Sequence, residues 1–277
     1  MNWWCAATGE TWSWGWKAYP GVWLFVAALG YGWYRAVQRG PAPPSRVQRA
    51  WFGVGLFLLW LALDWPIGAL GAGYLASVHT VSYILLSLVA PPCLILGVPT
   101  GTVLSALDRP LLGRLIRLAA RPAFSLAVYT TILCLTHVPS IVDGLMDSQV
   151  GAFLVDVAWL GAGLCLWWPV MAPQPEVSTL RRPLKMAYLF ASTLPAIVPS
   201  AFLTFAEYPL YATYELAPRV FTILTAQEDQ KVAGLLMKVV GDLPVWFAFG
   251  VIFFRWSRAS QGTPPPVHPG EMRRGAA

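Results

Sequence analysis

Seven side chains that can carry chemistry fall within or at the ends of long apolar runs: Asp64, His79, Cys134, His137, Asp156, Lys238 and Asp242. Ionisable groups in hydrocarbon are costly and mark function by default. Cys134 and His137 lie three residues apart, so on a helix thiol and imidazole share a face. Such a pair suits a soft metal such as Cu(I), although a free cysteine is equally a small packing residue. His79 is either a ligand or an interfacial residue whose polar edge reaches water. Tyr83, four residues on, reads as part of an aromatic belt. Asp156 has no Lys or Arg within one turn of its own helix. It must be protonated, pair with another helix (Lys238 is the rival partner) or bind a cation. His79, His137 and Asp156 are therefore the candidate core of one cation site; imidazole and carboxylate suit Cu(II) or Zn(II), and Cys134 would shift the preference to Cu(I). Lys238 and Asp242 are spaced to neutralise each other. Asp64 precedes Trp65-Pro66 and is either functional or a turn residue.

The elements that must hold these groups follow from composition. Of 277 residues, 57% are hydrophobic and only 12% charged, and the mean hydropathy is +0.56. A soluble domain carries roughly 25% charged residues, so the excess apolar surface must face lipid. Fifteen Trp and ten Tyr fit interfacial belts. Disordered chains, disulfide scaffolds and ordinary cytosolic enzymes are excluded. Runs of about 20 apolar residues predict helices near 18–36, 50–68, 78–98, 123–141, 150–171, 184–206 and 232–254. The expected fold is all-α, a polytopic bundle of seven transmembrane helices.

Orientation is read from the loops. Fifteen of the nineteen Lys and Arg fall on one side, in the segments around 35–49, 99–122 and 172–185 and in the C-terminal tail; the other side has Lys17, Arg219 and Lys231. The positive-inside rule puts the N-terminus outside and the C-terminus in the cytoplasm. Residues 1–17 form an extracytoplasmic tail without the basic start of a signal peptide, 18–256 the membrane domain, and 257–277 a cytoplasmic Pro-rich tail holding His268. Most of the ionisable groups then share one depth near the outer surface.

Arg114, Arg117 and Arg121 recur at helical spacing opposite Leu and Ile, as in an amphipathic helix on the membrane surface or a plain connector helix. Pro91-Pro92, Pro195 and Pro199 predict kinks. The loop at 207–231 is too short for its own core. No nucleotide-binding glycine motif, nucleophile–base pattern or zinc-finger spacing occurs. The net charge of +6 is explained by topology, and no nucleic-acid partner is expected.

Several short motifs, in order along about 18–256, resemble the polytopic CtaG family of caa-type cytochrome c oxidase assembly factors. They are His79-Thr-Val-Ser-Tyr83, Ala90-Pro-Pro92, Gly97-Val-Pro99, His137-Val-Pro139, Trp167-Trp-Pro169 and Asp229-Gln-Lys-Val-Ala-Gly-Leu-Leu-Met237. Departures from the family pattern fall at Thr80 and Ser82, at Tyr83 and Asp156 where the family has histidines, and at Lys238 where it has Trp. The resemblance implies a multi-pass protein of the bacterial cytoplasmic membrane. It implies work on cytochrome c oxidase subunits or other assembly factors, with copper as the metal handled and no enzymatic turnover. The alternatives are a small-molecule or ion transporter, against which stands the lack of an internal repeat, and a retinal-binding bundle using Lys238, which lies far from mid-bilayer.

Overall fold

The computed structural model describes residues 2–172 and 180–261, and all regular structure among them is helical. The Pro-rich stretch 262–270, His268, Arg273 and Arg274 lie outside the described residues. Helix α1 spans Pro20–Gln38. Helix α2, Arg46–Leu63, opens on a capping box in which the Ser45 hydroxyl accepts from the Gln48 amide at 3.1 Å and the Gln48 side chain from the Ser45 amide at 2.9 Å. The chain breaks at Asp64-Trp65-Pro66 and resumes, bent by 45°, as α3, Ile67–Gly73. Helix α4 runs Ala76–Leu96. Three short helices follow or flank its exit: α5, Thr100–Leu107, α6, Pro110–Ala119, and α7, Pro122–Leu135. Then come α8, Pro139–Met146, and α9, Gln149–Met171. Helices α10, Arg182–Thr193, and α11, Ile197–Phe205, make one broken span. After α12, Ala212–Glu215, the long helix α13 covers Ala226–Ser260.

Four stretches are long and apolar enough to cross a bilayer by themselves: α4, α9, Arg182–Phe205 and α13. The bent pairs α2–α3 and α6–α7 raise that number to as many as six. This is a membrane protein. Helix α1 falls outside that group because Gly, Trp and Tyr dilute its apolar run. The bend between α6 and α7 is 84°, so the arginine-bearing α6 stands almost perpendicular to the span it precedes, as a surface helix would.

Helix α4 is the centre of the bundle. It packs against α2, α9 and the first half of α13, and 67% of its most apolar window is buried, against 17% for α13. The proline kinks take a specific form. Wide π-type turns occupy Leu85–Val89 in α4 and Leu236–Val240 in α13. Pro91 and Pro244 lack the N–H that would bond back to Ser87 and Val240, which lie inside those turns. Gly163 of α9 lies directly on the Ser87 carbonyl; any side chain there would collide with it. The expected span 123–141 is shorter than predicted. Helix α7 stops at Leu135, because Val138 precedes Pro139 and is held out of helical geometry while Pro139 starts α8.

Candidate functional site

The start of α4 is fixed by a residue from the last span. Asp229, 2% exposed in the first turn of α13, accepts from the Ala76 amide at 2.6 Å, from the Ser77 amide at 3.4 Å and from the Ser77 hydroxyl. This is a helix N-cap supplied from another helix: it satisfies orphan amides and places negative charge on the positive helix end. The neighbouring Gln230 accepts from the Leu210 amide at 2.6 Å and donates to the carbonyls of Leu203 and Tyr208 at 3.4 and 3.3 Å. Gly234 lets α13 lie against Ser200 and Thr204 of α11. The Asp-Gln-…-Gly motif is thus a frame for the residues around it.

One turn into α4, His79 faces a small cavity of about 10 Å³, lined also by Thr80, Thr136, His137, Tyr211 and Tyr214. That is room for one water-sized body. Nε2 of His79 is buried without a hydrogen-bond partner. Its ring meets Trp159 edge-on, centroids 4.8 Å apart, and lies 5.7 Å from Tyr214. His137 stands in the turn between α7 and α8, with Nδ1 2.7 Å from the Leu133 carbonyl. A proton on Nδ1 donates there and leaves Nε2 with its lone pair. The indole of Trp159 donates to the Thr136 hydroxyl at 2.9 Å. Tyr83 is 2% exposed, bonded to the Tyr129 hydroxyl at 2.7 Å and 5.5 Å from the His137 ring. It is a core residue behind the histidines, which corrects the belt assignment.

The loop after α11 closes this end. Asp143 of α8 accepts from the Thr213 amide and hydroxyl at 2.9 and 2.8 Å and from the Ala212 amide at 3.2 Å, which pins α12. Tyr211 then donates to the His137 carbonyl at 3.1 Å and Tyr214 to the Gly71 carbonyl at 2.9 Å. Burial raises both phenols well above their ordinary pKa, so they remain donors.

The other candidate residues lie elsewhere. Asp156 accepts from the Trp4 indole at 2.8 Å and is absent from the lining of the His79–His137 cavity. Cys134 is exposed and shares with His137 an apolar groove of about 390 Å³ beside Pro139, Phe202 and Leu210. Among the described residues, no three His, Cys, Asp or Glu side chains are grouped to hold a metal ion. A four-ligand site does not form; two imidazoles do meet on one cavity. Two imidazoles could hold an ion at low coordination number, whereas a tetrahedral shell lacks its ligands among the described residues.

Lys238 pairs with Asp242 at 2.8 Å and donates to the Thr193 carbonyl at 3.2 Å, where α10 ends. This matches the structural reading, and the rival Asp156–Lys238 pair does not form. Asp64 ends α2; its Oδ2 accepts from the Trp23 indole at 2.8 Å while Oδ1 is buried without a partner.

Sequence reasoning missed Trp159, Tyr129, Tyr211, Tyr214 and Asp143, because aromatic residues near an interface look alike until burial separates them. It also treated residues 1–17 as a tail, whereas Trp4 and Cys5 are 1% and 3% exposed and Ala7 bonds to the Met146 carbonyl at 3.0 Å.

No curated protein and no solved structure matches the chain. The family model for the cytochrome c oxidase caa3 assembly factor (Caa3_CtaG) matches residues 27–259. That stretch contains both histidines, the Tyr83–Tyr129 pair and the Asp229-Gln230 frame, and on it the chain belongs to the caa3-type cytochrome c oxidase assembly factor family.

Proposed function

We propose that this protein is a seven-span factor of the bacterial cytoplasmic membrane, N-terminus outside, that helps mature cytochrome c oxidase by handling copper at the outer face. The observation that carries the copper reading is the pair His79 and His137 on one small cavity, with Nε2 of His79 buried and unpartnered. A buried nitrogen without a partner carries a desolvation cost that a ligand would relieve. Helix α1, at 19 residues, gives about 28 Å of helix, enough to serve as the seventh span. The charge asymmetry supports the orientation, which puts the cavity on the side where the oxidase's copper is handled. Copper here is cargo. His79 and His137 hold it, Tyr211 and Tyr214 line the cavity beside them, and Trp159 packs edge-on against the His79 ring. Asp156, tied to Trp4, serves as a clamp on the outer surface, and Cys134 on the adjoining groove is a relay toward the partner. The protein acts on oxidase subunits or other assembly factors without turnover chemistry.

The experiment compares membranes from a deletion strain complemented with wild type or with His79→Ala/His137→Ala. Oxidase polypeptides should persist while oxidase activity and copper content fall together with either the deletion or the double variant. Normal copper in the oxidase of the double variant would remove copper handling by these residues. Normal activity in the deletion strain would remove the assembly role itself.

A further inference from the structure

At the opposite end of α4, a second cavity of about 450 Å³ opens between the last turn of α1 and the corner where α5 meets α6. Arg35, Arg39 and Arg109 line it with Thr102, Ser105 and Tyr31. Among the described residues none of these three arginines forms an ion pair. Arg35 lies over the Tyr31 ring at 5.9 Å. The nearest carboxylate in sequence, Asp108, caps the end of α5 and pairs with none of them. The Thr102 hydroxyl is a separate pointer: the residue is 8% exposed, lines the cavity, and its Oγ1 is buried with no hydrogen-bond partner. The Ser105 hydroxyl donates to the Gly101 carbonyl at 3.0 Å. The three arginines are exposed, and their mutual repulsion, screened by solvent, falls further when an anion lies among them. Guanidinium forks match phosphate oxygens two at a time. Basic pockets between membrane helices are the expected form of an anionic headgroup site, and the volume suits a small ligand.

We infer that this cavity binds a phosphate-bearing anion, held by Arg35, Arg39 and Arg109 with the Thr102 hydroxyl as an additional donor. A phospholipid headgroup and free phosphate share that chemistry. The site does not depend on the assembly role, so the two can fail separately.

Native mass spectrometry of the full chain in detergent tests it, with phosphatidylglycerol, phosphatidylcholine and inorganic phosphate as probes. Wild type should bind phosphatidylglycerol at least tenfold more tightly than phosphatidylcholine, or bind inorganic phosphate. Arg35→Gln/Arg39→Gln/Arg109→Gln should remove that binding, and Thr102→Val should weaken it about threefold. Arg114→Gln/Arg121→Gln, which deletes charge outside the cavity, should leave it intact. Displacement of phosphatidylglycerol by millimolar inorganic phosphate identifies a free anion as the occupant; resistance to it identifies the lipid. If the triple variant fails to fold, Arg109→Gln and Thr102→Val each carry the test. Wild type that prefers neither anion over phosphatidylcholine would overturn the inference, as would variants that bind like wild type.

Discussion

At the N-terminal end of α4 two imidazoles face a small space of about 10 Å³, and at its C-terminal end three guanidiniums border a wide one of about 450 Å³. The first is lined by Tyr211 and Tyr214, whose hydroxyls are tied to the carbonyls of His137 and Gly71. The second is bordered by arginines with no ion-pair partner among the described residues. A small imidazole-lined space discriminates by shape and ligand type. A wide charged site selects by charge, and salt screens it. The two ends therefore respond differently to substitution.

The largest effect is expected at the histidine end. Asp229→Ala leaves the Ala76 and Ser77 amides and the Ser77 hydroxyl without their acceptor, so stability in detergent should fall by about 3 kcal/mol. Thermal unfolding followed by circular dichroism measures this, with Asp229→Asn expected between the two. A Tm within a degree of wild type would mean that α4 does not need its cap. Gly163→Ala should come next, at about 2 kcal/mol, because the new methyl meets the Ser87 carbonyl and Pro91. Trp159→Phe removes one hydrogen bond to Thr136 while keeping most of the ring that packs against His79. It should cost about 1 kcal/mol and, beyond that, weaken copper retention, read by metal analysis of the purified protein. The smallest change belongs to the surface of α6: Arg114→Gln should shift stability by less than about 0.5 kcal/mol. If Arg114→Gln matched Trp159→Phe, the contrast between a shape-built end and a charge-built end would collapse.

Legibility in the sequence followed the same division. Charge counting and apolar run length depend on residue type alone, so α4, α9, the broken span 182–205 and α13 lie close to where hydropathy puts them. His79 and His137 were also readable, since polar residues in apolar runs stand out. Their companions were not. Asp156 and His137 look alike on a hydropathy plot, and only the indole of Trp4, far away in sequence, separates them. The ending of α7 at Leu135 depends on local backbone sterics at Val138-Pro139 that a window average smooths away. Lys238 was readable because its partner Asp242 is one turn distant, whereas its second bond, to the Thr193 carbonyl, comes from a helix break elsewhere.

The cap on α4 also fixes an order of events in biosynthesis. Asp229 lies 153 residues downstream of Ala76, so α4 leaves the ribosome and enters the bilayer long before its cap exists. Through that interval its leading amides have only water or lipid headgroups as partners, and the loop carrying Tyr211 and Tyr214 lacks the Gln230 anchor. The lining of the histidine cavity is complete only when the last helix, which supplies Ala233, has been inserted. A chain cut short before α13 would display the same two histidines without Ala233 of the cavity lining and without the Gln230 anchor of the neighbouring loop. Translation itself thereby times the completion of this end of the bundle.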